Sequence, residues 1–138
     1  LKSMMLTRGE KLPTLVVGPF THAEMTSYAA ASGDFNPLHL DPTVARHYGF
    51  SACPVHGMRL LAAFEQMFRD WRGDLIIVSL KGQFLTPVLQ GECAILSGRV
   101  AKVEKLSAGL VGVVRLMAHT HRGVPALVGE TRVQQFAP

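Results

Sequence analysis

One helix with an unusually broad apolar surface, followed only by strands, narrows the fold of this chain more than any other feature. From about Gly57 to Trp71, the residues Met58, Leu60, Leu61, Ala62, Phe64, Met67, Phe68 and Trp71 wrap more than one helical face. A helix apolar most of the way round is a buried one. Asp70, Arg72 and Gly73 end it. Beyond it, residues 75–86, 93–103, 108–120 and 126–136 are rich in Val, Ile and Leu. Turn-like separators at 87–91, 104–107 and 122–125 divide them. Consecutive strands with short connections pair antiparallel. A β-branched run at 14–17 supplies an earlier strand for the sheet edge. The expected class is α+β, an antiparallel sheet wrapped around one central apolar helix.

The first half reads as helix and loop. Thr21 and Glu24 stand at capping-box spacing, the Thr oxygen serving the third amide and the Glu returning to the Thr amide. A helix is expected from His22 to about Ser32, stopped by Gly33. Asp41-Pro42 offers a second N-cap with Pro at the first helical position, opening a short helix through about His47. Residues 49–54 read as loop.

The 138 residues fit one domain, 1–138, able to bury a core without staples. The formal charge is +4, from Lys and Arg scattered along the chain. That pattern is no nucleic-acid footprint. It suits an anionic small molecule, and it equally suits an ordinary solvated surface. Cys53 and Cys93 form no CxxC pair and no disulfide framework, so a reducing cytoplasm is the default expectation. Cys53 reads as a small buried hydrophobe rather than a nucleophile. Leu1 to Ser3 read as an appended remnant before a natural start at Met4 or Met5, and residues 1–7 are expected to be disordered or appended. No signal-peptide core is seen there. The longest apolar helical stretch carries Arg59, Glu65 and Gln66 and is too short to cross a bilayer, so no membrane association is expected.

The chemistry concentrates between the two early helices, in Ser32-Gly33-Asp34-Phe35-Asn36-Pro37-Leu38-His39-Leu40-Asp41. A carboxylate, an amide and an imidazole fall within six residues. Pro37 fixes its own φ and biases Asn36 toward extended geometry, so the segment bends and can aim Asp34 and His39 at one point. Hydration of a carbon–carbon double bond needs two proton movements. A water loses a proton as it attacks Cβ, and Cα gains one. A carboxylate and a neutral imidazole sharing that water can do both, with Asn36 holding one of them. The same residues would also serve an ordinary capped turn. Asp41 is better explained as a helix cap than as a second acid.

Pro54-Val55-His56-Gly57-Met58 opens the apolar helix. The first amides of a helix lack internal partners and carry the positive end of the dipole. The Gly57 amide could therefore hold a developing oxyanion, and Gly57 could equally serve close packing. His56 reads as structural rather than catalytic. Phe84-Leu85-Thr86-Pro87-Val88-Leu89-Gln90-Gly91-Glu92 reads as a turn between strands with no catalytic group. His119 and His121 are two apart on one strand face, half of a metal site with no third ligand in reach.

On three of these segments the chain resembles the MaoC-like hydratases, the group that includes R-specific enoyl-CoA hydratases. The pattern GDxNPxH stands in the run from Ser32 to Asp41, VHGM at Val55 to Met58, and FLTPVLQGE at Phe84 to Glu92. The resemblance extends from about Arg8 to Phe136. It implies the hot-dog fold and an acyl-CoA or acyl-carrier-protein thioester substrate. It also implies a homodimer or higher oligomer with the substrate tunnel near the subunit interface. By position, Asp34 and His39 are the implied dyad, Asn36 their support and the Gly57 amide the oxyanion donor. No metal or redox cofactor is implied. The activity expected is reversible hydration of a trans-2-enoyl thioester to an (R)-3-hydroxyacyl thioester. A hot-dog thioesterase is the alternative within enzymes. A second is the dyad-bearing member of an unequal MaoC-like pair.

Overall fold

The structure, a computed structural model, describes residues 5–136. Its sheet has five strands: β1 (Leu15–Val17), β2 (Leu75–Phe84), β3 (Ala94–Leu106), β4 (Gly109–Thr120) and β5 (Pro125–Phe136). All pairings are antiparallel, in the spatial order β1-β3-β4-β5-β2. Three α-helices precede most of it: α1 (His22–Ser32), α2 (Pro42–His47) and α3 (Gly57–Trp71). The sheet curls around α3, which is the hot-dog fold.

The core forms where one face of the sheet meets α3. Along β4, Leu110, Val114, Leu116 and Ala118 are buried at every second or fourth position, the period of a strand with one covered face. Against them lie Leu60, Leu61, Ala63, Phe64, Met67, Phe68 and Trp71 of α3. Phe64 is fully enclosed, at 0% exposure. The helix is less completely apolar in its surroundings than its sequence suggests. Met58 and Ala62 are exposed, and with Glu65 and Arg69 they follow a spacing of three and four residues on one solvent face. An Arg69–Glu65 contact of 2.8 Å spans one turn of that face.

The helix signals act as expected. Thr21 Oγ1 accepts from the Glu24 amide while Glu24 reaches back to the Thr21 amide, so both members of the capping box form. Gly33, at φ 79°, closes α1 in the left-handed conformation that a side chain would disfavour. Asp41 caps α2 through the Thr43 amide.

Two strand ends depart from expectation, the first being β2, which stops at Phe84 rather than running on to Thr86. β3 runs on to Leu106 rather than ending near Val103, and Leu106 faces Gly109, which leaves Ser107 and Ala108 as a tight hairpin turn. Cross-strand pairing with β4 carries the charged end of β3 past the point where its composition turns polar. Residues 1–4 lie outside the described residues, but Leu6 is buried at 4% exposure and its N–H donates to Gln135 Oε1 at 2.9 Å. The Leu6 side chain fills the core beside Gly112.

Candidate active site

Residues 32–41 form a chain of short local bonds. The Asp34 amide donates to Ser32 Oγ at 3.2 Å, the Asn36 amide to Asp34 Oδ1 at 3.2 Å, and the Leu38 amide to Asn36 Oδ1 at 3.0 Å. Asn36 thus caps a single 3-10 turn, Pro37–His39. The segment expected to bend does so by side chains of Asp and Asn standing in for backbone acceptors. Asn36 supports Asp34, but through its backbone N–H. Its side-chain oxygen is used on Leu38.

The turn delivers His39 next to Asp34. His39 Nε2 lies 3.8 Å from Asp34 Oδ2, too far for a direct hydrogen bond. A water at ordinary hydrogen-bond distance from both atoms bridges such a gap. His39 Nδ1 lies 2.8 Å from the Pro54 carbonyl oxygen. A carbonyl only accepts, so Nδ1 carries the proton and donates, and in the neutral ring Nε2 is left as an acceptor facing Asp34. Asp34 is half exposed, at 49%, and His39 is largely covered, at 15%.

Two features outside the expected list complete this geometry. The first is the Pro54 carbonyl, which fixes the His39 tautomer. It sits on a strap paired to the turn after β2: Val55 N–H donates to Val88 O at 2.7 Å and Gln90 N–H to Cys53 O at 2.8 Å. The 84–92 segment therefore contributes by anchoring this strap. The second is His56, buried at 1% exposure with its ring stacked on that of His39, centroids 4.1 Å apart. Its Nε2 lies 3.1 Å from the Asp34 carbonyl oxygen. Burial pushes its pKa down, the hydrogen bond to that carbonyl opposes this, and the nearby His39 charge adds to the lowering. His56 is accordingly a neutral donor. Only the VHGM motif marked it in the sequence.

An apolar cavity of about 260 Å³ opens beside the dyad, lined among others by Leu38, His39, Phe50, Gly57, Phe84 and Val88. Gly57 is the first residue of α3, and no side chain caps that end. Gly57 and His39 both line the cavity. A Cβ at Gly57 would stand 2.9 Å from Phe84 Cζ, so this glycine also permits close packing of Phe84.

The other candidates fall away from this cavity. Cys53 is buried, and burial raises its thiol pKa, with the Asp41 charge adding to the effect. His121 Nδ1 lies 3.7 Å from Glu92 Oε2, which also takes Arg122 at 3.2 Å, and His119 is on β4. Among the described residues, only Asp34, His39 and His56 bring three potential metal-ligand side chains together, within 4.8 Å. His39 Nδ1 and His56 Nε2 already bond backbone carbonyls, and the two rings are stacked 26° from parallel.

The family model described as MaoC like domain matches residues 6–120. This chain belongs to the MaoC-like family. A relative named (R)-specific enoyl-CoA hydratase, from Aeromonas caviae, is 51% identical over 46 residues, covering 33% of this chain and 34% of that protein. A mitochondrial 3-hydroxyacyl-[acyl-carrier-protein] dehydratase from Arabidopsis thaliana is 36% identical over 73 residues, covering 53% and 44%. The aligned chain spans less than half the length of either curated relative. Among solved structures, an (R)-hydratase from A. caviae involved in PHA biosynthesis superposes with a TM-score of 0.84 at 30% identity, covering 94% of this chain and 97% of that one. A MaoC-like dehydratase from Rhodospirillum rubrum gives a TM-score of 0.76 at 19% identity, covering 96% and 94%, and shows the shared fold.

Proposed function

We propose that this MaoC-like chain is a hydro-lyase that adds water reversibly to a trans-2-enoyl thioester, giving the (R)-3-hydroxyacyl thioester. The observation that carries this reading is the His39 Nε2–Asp34 Oδ2 gap of 3.8 Å, with His39 and Gly57 both lining an apolar cavity. The acyl chain occupies the cavity and its thioester oxygen meets the Gly57 amide. A water held between Asp34 and His39 attacks Cβ and gives up a proton to the dyad. Negative charge gathers on the thioester oxygen, where the amide at the positive end of α3 stabilises it. Cα then takes a proton from the dyad. In reverse, the same groups expel water. The substrate is carried on CoA or on an acyl carrier protein.

The reading extends to assembly. β2 is an edge strand, and Ile76 and Val78 on it are more than half exposed. An uncovered apolar edge is an invitation to pairing, and a second copy of this chain is the proposed cover. No helix among the described residues is long and apolar enough to cross a membrane. The two free cysteines fit a reducing cytoplasm.

The test is purified protein against trans-2-enoyl-CoA thioesters of graded length and branching, followed by loss of enoyl absorbance and by free thiol. Falling enoyl absorbance without thiol release supports the hydro-lyase. Thiol release with the enoyl group intact would favour a thioesterase instead.

A further inference from the structure

Near the dyad is a buried imidazole that the mechanism above does not use. His56 stands at the N-cap of α3 and makes no capping bond. Ser, Thr, Asp or Asn would serve that helix better. Its Nδ1 is buried without a hydrogen-bond partner. Leaving a buried polar atom unpaired carries a desolvation cost. On grounds of stability alone, histidine is a poor choice here.

What the ring does is reach across to residues 32–41. Nε2–H donates to the Asp34 carbonyl at 3.1 Å. One ring face lies on His39, and Tyr28 of α1 lies against the ring at 4.8 Å, tilted by 59°. The column Tyr28–His56–His39 thus joins α1, the start of α3 and the 3-10 turn. Two residues earlier, the Pro54 carbonyl takes His39 Nδ1–H. One short strap, Pro54 to His56, therefore grips both members of the dyad. It holds His39 by a ring nitrogen and a ring face, and Asp34 by its main chain.

We propose that His56 is a positioning residue for the hydration reaction, setting the separation between Asp34 and His39 by bonding the backbone of one and stacking on the ring of the other. This rests on the function proposed above. The gap must admit one water and present it to Cβ, and a misplacement of about 1 Å at a reacting centre costs roughly a hundredfold in rate. Asp34 is half exposed and is otherwise held only by local turn bonds, so it needs an anchor in the core. His56 supplies one.

Three variants separate the two grips. His56→Phe keeps a ring face and removes the donor. His56→Gln keeps a donor of similar reach and removes the ring. His56→Ala removes both. Each is measured for kcat and KM on an enoyl-CoA that the wild type hydrates, alongside circular dichroism and a thermal melt. The expected result is a fall in kcat of roughly tenfold or more for Phe, more for Ala, and partial recovery in Gln relative to Ala, with KM little changed. Folded Phe and Gln variants with wild-type kcat would overturn the proposal, as would an effect confined to KM or to melting temperature. A second readout needs no turnover. Imidazole nitrogen signals in NMR report the His39 ring, expected as Nδ1–H in the wild type and displaced in a folded Phe or Gln variant, with the Pro54 carbonyl still holding that tautomer. Unchanged His39 signals in both overturn the inference. A wild type with ordered His39 signals and no hydration of any enoyl thioester would instead overturn the proposed function.

Discussion

Helix α3 and the segment 32–41 meet at the candidate active site and are built by opposite means. Phe64, Met67 and Phe68 of α3 are held by burial, through many weak contacts that any side chain of similar shape could make. Asp34, Asn36 and Pro37 are exposed, and the Asp and Asn hold their segment through single hydrogen bonds to named atoms. Burial tolerates substitution if volume is kept, while a chain of individual bonds does not. Stability and chemistry should therefore separate between the two regions.

The sharpest break lies in the segment. Asp34→Asn and His39→Ala should each lower kcat by roughly 10²–10⁴ while the melting temperature stays close to wild type. Steady-state kinetics and a thermal melt on the same samples check this. The opposite behaviour belongs to the helix. Phe64→Ala should cost about 3–5 kcal/mol of stability in urea denaturation, with kcat per folded molecule retained.

Gly57 stands where the two regions join, so its substitution should mix both behaviours. Gly57→Val is expected to lower kcat/KM by roughly a hundredfold or more, as loss of an oxyanion donor does. Gly57→Ala should fall between it and wild type. The φ of Gly57 is not positive, so backbone strain is not at issue, but the new Cβ presses on Phe84. Phe84→Leu beside Gly57→Ala relieves that pressure. A loss that persists in the pair belongs to the amide, and one that disappears belongs to packing.

The smallest effect is in pH. The unfolded chain protonates His56 near its ordinary value of 6.5, while the folded protein holds it lower, chiefly by burial. Below about 6.5 the unfolded state binds more protons, so stability falls as pH drops from there and is unaffected above. Melts between pH 7.5 and 5 should show the decline, and His56→Phe should flatten it. Asp74, held low by its hydrogen bond with Arg72, contributes only below its ordinary 3.8 and does not confuse that window.

The contrast between the regions also explains what could be read in the sequence. Thr21, Glu24, Gly33 and Asp41 act on residues a few places away, so both early helices were legible to the residue. The apolar pattern likewise located α3 and the strands. The run of β3 to Leu106 was not legible, because pairing with β4 overrides its polar composition. Leu6 was not legible either, since its place depends on Gln135 at the far end of the chain. Asp34 and His39 stood out through a motif, with composition alone leaving an ordinary turn open. The hold on them by Pro54 and His56 lies 15 and 22 residues away and has no local signature.

In the proposed mechanism Asp34 and His39 act as one unit on a shared water. A double-mutant cycle of Asp34→Asn and His39→Ala, read in kcat for enoyl-CoA hydration, tests it most directly. Groups acting as a unit are strongly non-additive, so the double variant should be little worse than either single one. Losses that multiply in a folded double variant would mean two independent roles and would contradict the shared-water account.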